Sequence, residues 1–330
     1  MKSTQSFRGS RQILGKEIAQ LVQIACICEV CAPKPGNVNR RHDFPDTCME
    51  DFILSAIAIG PAFENAARVG VGQTIRDATS DTRRWVRTNT NLGMILLFAP
   101  LVKACANTSS IAGGETMRQR NLESYRQNLG AVLSSLTVED ARHAYAAIRL
   151  AQPGGIGCVT QSDIVEEPSI TLLQAMALAQ NRDAVANEYM TNYTITFETG
   201  LPALNEAIAK EADFSSAIVH AFLTILSSVP DTLIARKRGF RTARRVSKRA
   251  CEVLDQGGVF TPRGRSGLEE LDRELRDRNH TLNPGTTADL TAAAIFLTLL
   301  QNQHPQSKRK YLSRILFSDQ ATKELNHQKE

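Results

Sequence analysis

Four polar segments interrupt an otherwise apolar sequence, and they contain the residues best suited to chemistry. The first runs from Glu29 to Val38 and places Lys34 between two prolines, with Gly36 two residues further on. The prolines fix the backbone on both sides of the lysine, and the glycine permits close approach of a ligand. Such a lysine suits a phosphate, and carboxylates that suit Mg²⁺ follow at Asp43, Asp46 and Asp51. The alternative without a ligand is a proline-rich connector with solvated charges.

The second segment, Arg87 to Gly93, has four small polar residues in a row before its last two residues and an apolar helical stretch. A polar turn that opens a helix can offer backbone N–H groups to an anion. N-capping by Asn or Thr explains the same residue types without a ligand, so both interpretations stay open.

The third segment, Pro230 to Gly239, has Asp231 as its second residue and three consecutive cations, beginning with Arg236, before its final glycine. The acid suits a helix N-terminus, and the cations suit the last turn before a glycine that ends the helix. Five more cations follow at helical spacing: Arg241, Arg244, Arg245, Lys248 and Arg249. Their face either holds phosphates or is a solvated surface.

The fourth segment, Asn283 to Asp289, precedes another apolar helical stretch. Pro284 and Gly285 fit a helix start, and two threonines follow as suitable caps. Asp289 lies in the first turn, where a carboxylate interacts favourably with the helix dipole. On its own this segment is typical of capping.

The elements that must position these segments have apolar residues at helical spacing. The first predicted helix ends before Pro33, and no alternating strand pattern of useful length and no internal repeat occurs. A capping box with Asp140 in its last place begins a helix after Thr137. The other predicted helices cover 49–69, 75–85, 94–104, 171–181, 182–198, 202–211, 214–227, 231–238, 241–255, 266–278 and 286–302, with turns or loops at 107–116, 152–168 and 257–264. The pattern predicts an all-α fold: one multi-helix domain over residues 1–330, with 1–12 and 304–330 peripheral or partly disordered.

Composition excludes several classes of protein. The chain has 330 residues, 42% of them hydrophobic and 22% charged, with a net charge of +5, so intrinsic disorder is excluded. The charge excess is too small for a nucleic-acid footprint, and eight of the cations lie within 236–249, which fits a polyphosphate ligand better. No stretch approaches 18 uninterrupted apolar residues, and no signal-peptide pattern is present. We expect a soluble, cytoplasmic protein that binds neither membrane nor nucleic acid.

Cysteines and histidines do not form a metal or catalytic pattern. Cys26, Cys28 and Cys31 lack a second pair at zinc spacing, so we expect small buried hydrophobes on a helix. An odd count of seven cysteines does not indicate a disulfide framework. The lone histidines have no partner at metal or triad spacing: His143, His220, His280, His304 and His327. Nucleophile-elbow, P-loop and dinucleotide motifs do not occur.

Taken together and in this order, the segments resemble the triphosphoribosyl-dephospho-CoA synthase family over residues 17–302. Glu29 and Ala-Pro-Lys-Pro-Gly-Asn-Val, ending at Val38, are similar to the family's Glu…Thr-Pro-Lys-Pro-Gly-x-Val. Further along the chain, His42…Asp46…Phe52…Ser55-Ala56 is similar to the family's His-x-Asp-Met…Phe…Ser-Ala, and Asn89-Thr90…Gly93 is similar to its Asn-Thr-His-Lys-Gly. Asp231-Thr232…Arg236…Gly239 is similar to the family's Asp-Thr…Arg-Gly-Gly. Pro284-Gly285…Ala288-Asp289-Leu290 is similar to the family's Pro-Gly-Gly-Ser-Ala-Asp-Leu.

The resemblance implies an enzyme that joins ATP to 3′-dephospho-CoA and releases adenine. A ribose 2′-hydroxyl of dephospho-CoA would attack the anomeric carbon of ATP, and the triphosphate would travel with the transferred sugar. Mg²⁺ is the implied cofactor, and the implied partners are small nucleotides, with a homodimer left open. The implied catalytic residues are Glu29, Asp231 and Asp289; the implied nucleotide-binding residues are Lys34, Gly36, Asn89, Thr90, Arg236 and Gly285; the implied metal ligands are Asp46 and Asp231.

One departure from the family pattern leaves other functions open. Asn91 and Leu92 stand where the family carries His-Lys, so either cations such as Arg241–Arg249 supply the missing contacts or the substrate differs. The Asn-Thr-Asn-Leu-Gly form, with Pro153 to Pro168, resembles a divergent branch that we associate with methanopterin-linked one-carbon metabolism. The alternatives are a transferase in biosynthesis of such a cofactor, a helical metal-dependent phosphohydrolase, and a binding or scaffold protein that has lost catalysis.

Overall fold

Helices are the regular elements of the part of the chain that the structure describes. This structure, a computed structural model, describes residues 2–109, 122–152 and 167–302, without the side chains of 2–14 and 106–109. Its α-helices are α1 Lys2–Cys31, α2 Met49–Ala58, α3 Gly60–Asn65, α4 Val71–Arg83, α5 Leu92–Ser109, α6 Leu122–Ser134, α7 Val138–Ala151, α8 Leu172–Ala179, α9 Ala184–Thr191, α10 Leu201–Ala209, α11 Phe214–Ser228, α12 Thr232–Arg238, α13 Phe240–Asp255, α14 Pro262–Leu275 and α15 Gly285–Gln301. A π-helix, Thr196–Gly200, and a 3₁₀-helix, Gly258–Phe260, complete the set, and isolated bridges join Asn39 to His42 and Phe44 to Thr47. The predicted all-α class is confirmed.

Helix α15 is the centre of the core. Between Thr286 and Leu300, every residue except Asp289 is buried. A helix that is apolar all round must be enclosed by other helices, and α15 contacts α1, α5, α10, α11 and α12. Buried hydrophobic side chains from α1 through α15 form one continuous cluster.

Capping threonines begin two of the helices, one at the predicted position and one earlier than predicted. Thr137 accepts a hydrogen bond from the Asp140 backbone N–H (3.1 Å), and the Asp140 carboxylate accepts one from the Thr137 N–H (2.9 Å). The same carboxylate accepts the Gly72 N–H at 2.7 Å, which joins α4 to α7. Thr261 caps α14, which therefore begins at Pro262, four residues earlier than predicted.

The continuous helix predicted over 182–198 is wrong. Asn192 and Tyr193 adopt positive φ angles of 51° and 61° and end α9. The buried Glu188 carboxylate then accepts the backbone N–H groups of Ile195 (2.8 Å) and Thr196 (2.9 Å), which begins the π-helix. Apolar periodicity continues through this break, so the sequence pattern hides it.

Other predictions differ in smaller ways. The helix predicted over 49–69 is divided at Ile59 into α2 and α3, and residues 107–109 extend α5 instead of turning. The rest of the predicted turn at 107–116, the loop residues 153–166 and the tail 304–330 lie outside the described residues. Cys26 and Cys28 are buried in α1 as expected.

In the described ranges, no single helix has the length and apolar character needed to cross a membrane. One bent pair, α11 with α12, satisfies those criteria by length and composition only.

Candidate functional site

All four polar segments meet at one cavity of about 990 Å³. The first contributes Asn37 and the second the whole run from Arg87 to Gly93. The third and fourth contribute Arg236 and Asp289 from the facing helices α12 and α15. Helices α7, α8 and α9 form the remaining wall. The cavity is therefore the place where the sequence segments act together.

Asp289 is the acid whose surroundings point most clearly to a ligand. It is half-buried, whereas the other residues between Thr286 and Leu300 are fully buried, and it lines the cavity. Within the described residues its carboxylate accepts no hydrogen bond from the protein. Burial and the negative charges of Glu29, Asp231 and Asp183 raise its pKa well above the ordinary value, while Arg236 opposes this. A cation or a substrate proton would relieve this electrostatic cost.

Gly93 makes room for this carboxylate. A Cβ atom built on Gly93 would lie 2.0 Å from Asp289 Oδ2, whereas real Cβ contacts essentially never fall below 3.0 Å. The glycine of the second segment therefore sets the position of the acid of the fourth segment.

Glu29 lies at the end of α1, is 3% exposed and lines the cavity. The Lys34 ammonium lies 2.8 Å from Glu29 Oε1 and also donates to the carbonyls of Glu29 and Ala32. Burial raises the pKa of Glu29 in spite of this pairing. The expected phosphate contact of Lys34 needs correction: its side chain is fully buried, its three donors are occupied, and it does not line the cavity. Lys34 instead holds Glu29 in place.

Asp231 joins two helices. Oδ1 accepts the N–H groups of Leu233 (2.9 Å) and Ile234 (3.0 Å) at the start of α12. Oδ2 accepts both the N–H and the hydroxyl of Thr287, each at 2.8 Å, at the start of α15. Asp231 is 2% exposed and lies outside the cavity lining, so its expected catalytic and metal-binding contacts are not present. Its four hydrogen bonds bring Arg236 and Asp289 to the same cavity.

Arg236 and Lys237 supply cations beside the acids. Arg236 Nη1 pairs with Asp183 Oδ2 at 2.6 Å, while its Nε is buried without a hydrogen-bond partner. Lys237 Nζ donates to the His280 carbonyl and to Asn283 Oδ1, both at 3.0 Å, and burial lowers its pKa. Arg87 and Arg182 also line the cavity.

The cationic face at Arg241–Arg249 does not line the cavity. Its members on the outer side of α13 are exposed, and Arg249 pairs with Glu274 (2.6 Å) and Glu252 (2.5 Å). The structure therefore gives no support to the suggestion that this face replaces the missing His-Lys contacts, because these side chains lie toward solvent and α14.

The second segment combines capping with cavity lining. Asn89 Oδ1 accepts the Leu92 N–H at 3.1 Å at the start of α5. The Thr90 hydroxyl lies 2.6 Å from that of Ser55, and Asn91 Nδ2 donates to Thr82 Oγ1 at 3.2 Å. Asn89, Thr90 and Asn91 all line the cavity, but of these three only Asn89 is exposed.

The two glycines assigned to nucleotide binding serve packing. Gly36 has a φ of +74°, donates to Asp272 Oδ1 at 2.8 Å, and a Cβ there would meet Leu275 Cβ at 2.7 Å. It does not line the cavity, so its contact with a nucleotide stays a prediction that the cavity does not support. Gly285 does line the cavity, and a Cβ there would meet Leu233 Cδ2 at 2.7 Å.

Sequence reasoning missed Asp183, Phe44 and His280. Asp183 caps α9 through the Val185 N–H (2.9 Å) while it pairs with Arg236. The Phe44 and His280 rings are stacked, with centroids 3.9 Å apart, and both residues line the cavity. Their pairing joins loops far apart in sequence, so no local pattern reveals it.

Buried polar atoms without partners are concentrated here. Among the described residues six such atoms occur, and three belong to residues that line the cavity: Thr88 Oγ1, Arg236 Nε and His280 Nε2. Buried polar groups are normally paired, so these atoms indicate a site shaped for a polar ligand.

No group of three or more His, Cys, Asp or Glu side chains in the described ranges is arranged to hold a metal ion. Asp46 lies at the exposed rim of the cavity and Asp231 outside the lining, so the expected Asp46–Asp231 pair does not share a site. Asp43 and Asp51 accept backbone N–H groups near the start of α2. In nucleotide sites, Mg²⁺ is usually bound by one or two carboxylates together with phosphate oxygens. The carboxylates of Glu29 and Asp289 fit this requirement, since both line the cavity and their negative charges repel each other.

Comparison with known proteins gives consistent results. The family model described as "ATP:dephospho-CoA triphosphoribosyl transferase" matches residues 15–308. A relative from Pseudomonas fluorescens strain Pf-5, named a 2-(5''-triphosphoribosyl)-3'-dephosphocoenzyme-A synthase, is 27% identical in an alignment over 306 residues, and the match covers 88% of this chain and 93% of the relative. A relative of the same name from Klebsiella pneumoniae is 35% identical over 97 residues, 29% of this chain and 34% of that protein. A solved structure described as a triphosphoribosyl-dephospho-CoA synthase from Archaeoglobus fulgidus has a TM-score of 0.56 at 25% identity and covers 76% of this chain and 99% of its own.

Proposed function

The chain belongs to the ATP:dephospho-CoA triphosphoribosyl transferase family, and from this premise we propose how its cavity carries out that transfer. In the reaction, the 2′-hydroxyl oxygen of dephospho-CoA forms a bond to C1′ of ATP while the bond from C1′ to adenine breaks. The hydroxyl proton leaves the acceptor, adenine takes up a proton, and the triphosphate stays on the transferred ribose. The observation that carries the proposal is a carboxylate without a protein hydrogen-bond donor, Asp289, in the same cavity as the half-buried cations Arg236 and Lys237.

Asp289 is the proposed acceptor of the hydroxyl proton. A carboxylate whose pKa is raised is a stronger base when it is ionised, and Asp289 has no protein donor to compete for its lone pairs within the described ranges. Its negative charge also stabilises an oxocarbenium-like carbon at C1′. Lys34 keeps Glu29 beside this centre as a second negative charge.

Arg236 and Lys237 are the proposed triphosphate ligands. They lie side by side on α12, and the Nε of Arg236 is a buried donor without a partner. A guanidinium and an ammonium from adjacent residues suit neighbouring phosphates of one chain. Mg²⁺, held by Glu29 or Asp289 together with phosphate oxygens, would neutralise further charge on the triphosphate.

His280 and Thr88 are the proposed contacts of the leaving adenine. Both carry a buried polar atom without a hydrogen-bond partner, and both line the cavity. A donor at a purine ring nitrogen helps that base leave, because the departing electron pair is then shared with a proton. The flat stack of Phe44 on His280 also suits packing against a purine ring.

The test is adenine release from Mg-ATP, measured by chromatography with and without dephospho-CoA. We expect release that depends on the acceptor in the wild-type protein and a loss of roughly 10²-fold or more in Asp289→Asn. Asp77→Asn is the matched control, since Asp77 is 40% exposed and lies outside the cavity lining. Equal rates in both variants would exclude Asp289 as the base.

The comparisons support this transferase and not the alternatives considered from sequence. Turnover with another acceptor but not with dephospho-CoA would favour the one-carbon cofactor transferase, and release of inorganic phosphate would favour the phosphohydrolase. Soluble nucleotide substrates favour a cytoplasmic location. The homodimer and the lack of nucleic-acid binding stay predictions.

A further inference from the structure

One wall of the cavity carries no charge. Helix α7 presents Tyr145, Ile148 and Ala151 along one face, at spacings of three residues. Helix α8 lies beside it, since the Leu172 N–H donates to the carbonyl of Thr137, the N-cap of α7, at 3.1 Å. Side chains of α8 continue the same surface: Leu172, Ala175, Met176, Leu178 and Ala179. The charged residues of α7, such as Arg142 and Arg149, do not line the cavity.

The charged groups of the cavity lie on other elements. Glu29 comes from α1, Asp289 from α15 and the adjacent cations from α12. Arg182 lies in the turn between α8 and α9, directly after the uncharged wall and next to Asp183, the partner of Arg236. Glu167 also lines the cavity before the start of α8, where it is 81% exposed and lies 3.8 Å from Arg142. The cavity therefore has a charged part and an uncharged wall, with Glu167 before α8 and Arg182 after it.

Leu178 is a highly exposed apolar residue on the uncharged wall. Its side chain is 72% exposed, the largest fraction among the exposed large hydrophobic residues of the described ranges, although it lies on the cavity wall. A leucine that contributes little to the core but faces a ligand site gains its apolar burial when the ligand binds.

ATP cannot use such a wall with its triphosphate or ribose, which are polar. Dephospho-CoA differs from ADP by a pantetheine chain on its β-phosphate, and that chain contains a dimethyl group and several methylenes. A cavity of about 990 Å³ lies at the upper end of the range for small-molecule sites, which leaves room for both substrates.

We propose that the wall formed by α7 and α8 binds the pantetheine arm of the acceptor, an inference that rests on the proposed function. Arg182 then meets the diphosphate, and the arm runs along Met176 and Leu178 towards solvent. This placement leaves the reacting ribose on the side of Asp289. The wall determines acceptor specificity, because binding energy from the arm holds the distant hydroxyl at C1′ of ATP.

The test compares dephospho-CoA with ADP, a truncated acceptor that keeps the reacting 2′-hydroxyl. We expect wild-type kcat/KM to favour dephospho-CoA by at least roughly tenfold. Leu178→Asp should remove most of that preference by lowering kcat/KM for dephospho-CoA alone, again by roughly tenfold. KM for ATP should not change. The matched control is Leu150→Asp, since Leu150 is an exposed residue of α7 (40%) that does not face the cavity.

Three kinetic results would overturn the inference: equal use of ADP and dephospho-CoA by the wild type, equal losses for both acceptors in Leu178→Asp, or an effect on the KM of ATP alone. If the wild type releases no adenine with either acceptor, the proposed function fails instead. Calorimetric Kd values then decide the inference separately. Dephospho-CoA should bind more weakly to Leu178→Asp than to the wild type and to Leu150→Asp, and unchanged binding would contradict it.

Discussion

Gly93→Ala tests whether the second segment positions the acid of the fourth. The added Cβ would lie 2.0 Å from Asp289 Oδ2, so the separation must grow to at least 3.0 Å. The obstructing atom is the carboxylate itself, and displacement of about 1 Å in a reacting group can lower turnover by roughly 10²-fold. Gly93 lies in the first turn of α5 without a positive φ, where alanine stabilises a helix relative to glycine by about 1 kcal/mol. We therefore expect kcat to fall roughly 10²-fold while the protein stays folded.

The assay is steady-state adenine release, with Tm measured on the same preparation. Gly130→Ala is the matched control: it lies within α6, and its nearest neighbour would be the Asn192 side chain at 3.4 Å. That variant should keep wild-type kcat. If Gly93→Ala also keeps wild-type kcat, Asp289 does not need its observed position and the reasoning fails. A lowered Tm with proportional loss of activity would indicate misfolding instead.

Three further substitutions test other parts of the site and fold. Lys34→Met leaves the buried Glu29 without its cation, so the free energy of unfolding should fall by about 3–5 kcal/mol in urea titrations; a smaller loss would mean that Lys34 is not its main partner. Arg236→Ala should raise the KM for ATP by at least roughly tenfold, whereas the exposed Arg238→Ala should not, and similar values for both would contradict the phosphate assignment. Burial raises the pKa of Glu188 from 4.5 to about 7. A raised carboxyl pKa makes the folded state bind the proton more tightly, so stability should decline as pH rises from 4.5 through 7, by about 3 kcal/mol, and Glu188→Gln should abolish this slope.

Local patterns in the sequence were sufficient for the helices and most of their ends. The capping box at Thr137 and Asp140 and the glycine after α12 are signals confined to a few residues, and both ends lie where predicted. The break at Asn192 was not predictable in this way. It depends on Glu188, whose carboxylate is aimed at Ile195 and Thr196 only once α9 is buried.

The candidate site was predictable as a set of segments but less so as individual contacts. Asp289, Glu29 and Arg236 line one cavity, as their combined pattern suggested. Lys34 and Asp231 have the residue types of ligands, but both are buried and contact other protein groups instead. Lys34 pairs with Glu29, and Asp231 accepts hydrogen bonds from the N-termini of two helices. Partners that lie far apart in sequence decide such roles.

The transfer of an intact triphosphate is the central claim, and ATP labelled at its γ-phosphate tests it most directly. After incubation with Mg²⁺ and dephospho-CoA, the account predicts that the label appears in the dephospho-CoA product, with one adenine released per product molecule. Label in inorganic phosphate or pyrophosphate, or product formation without adenine release, would contradict it.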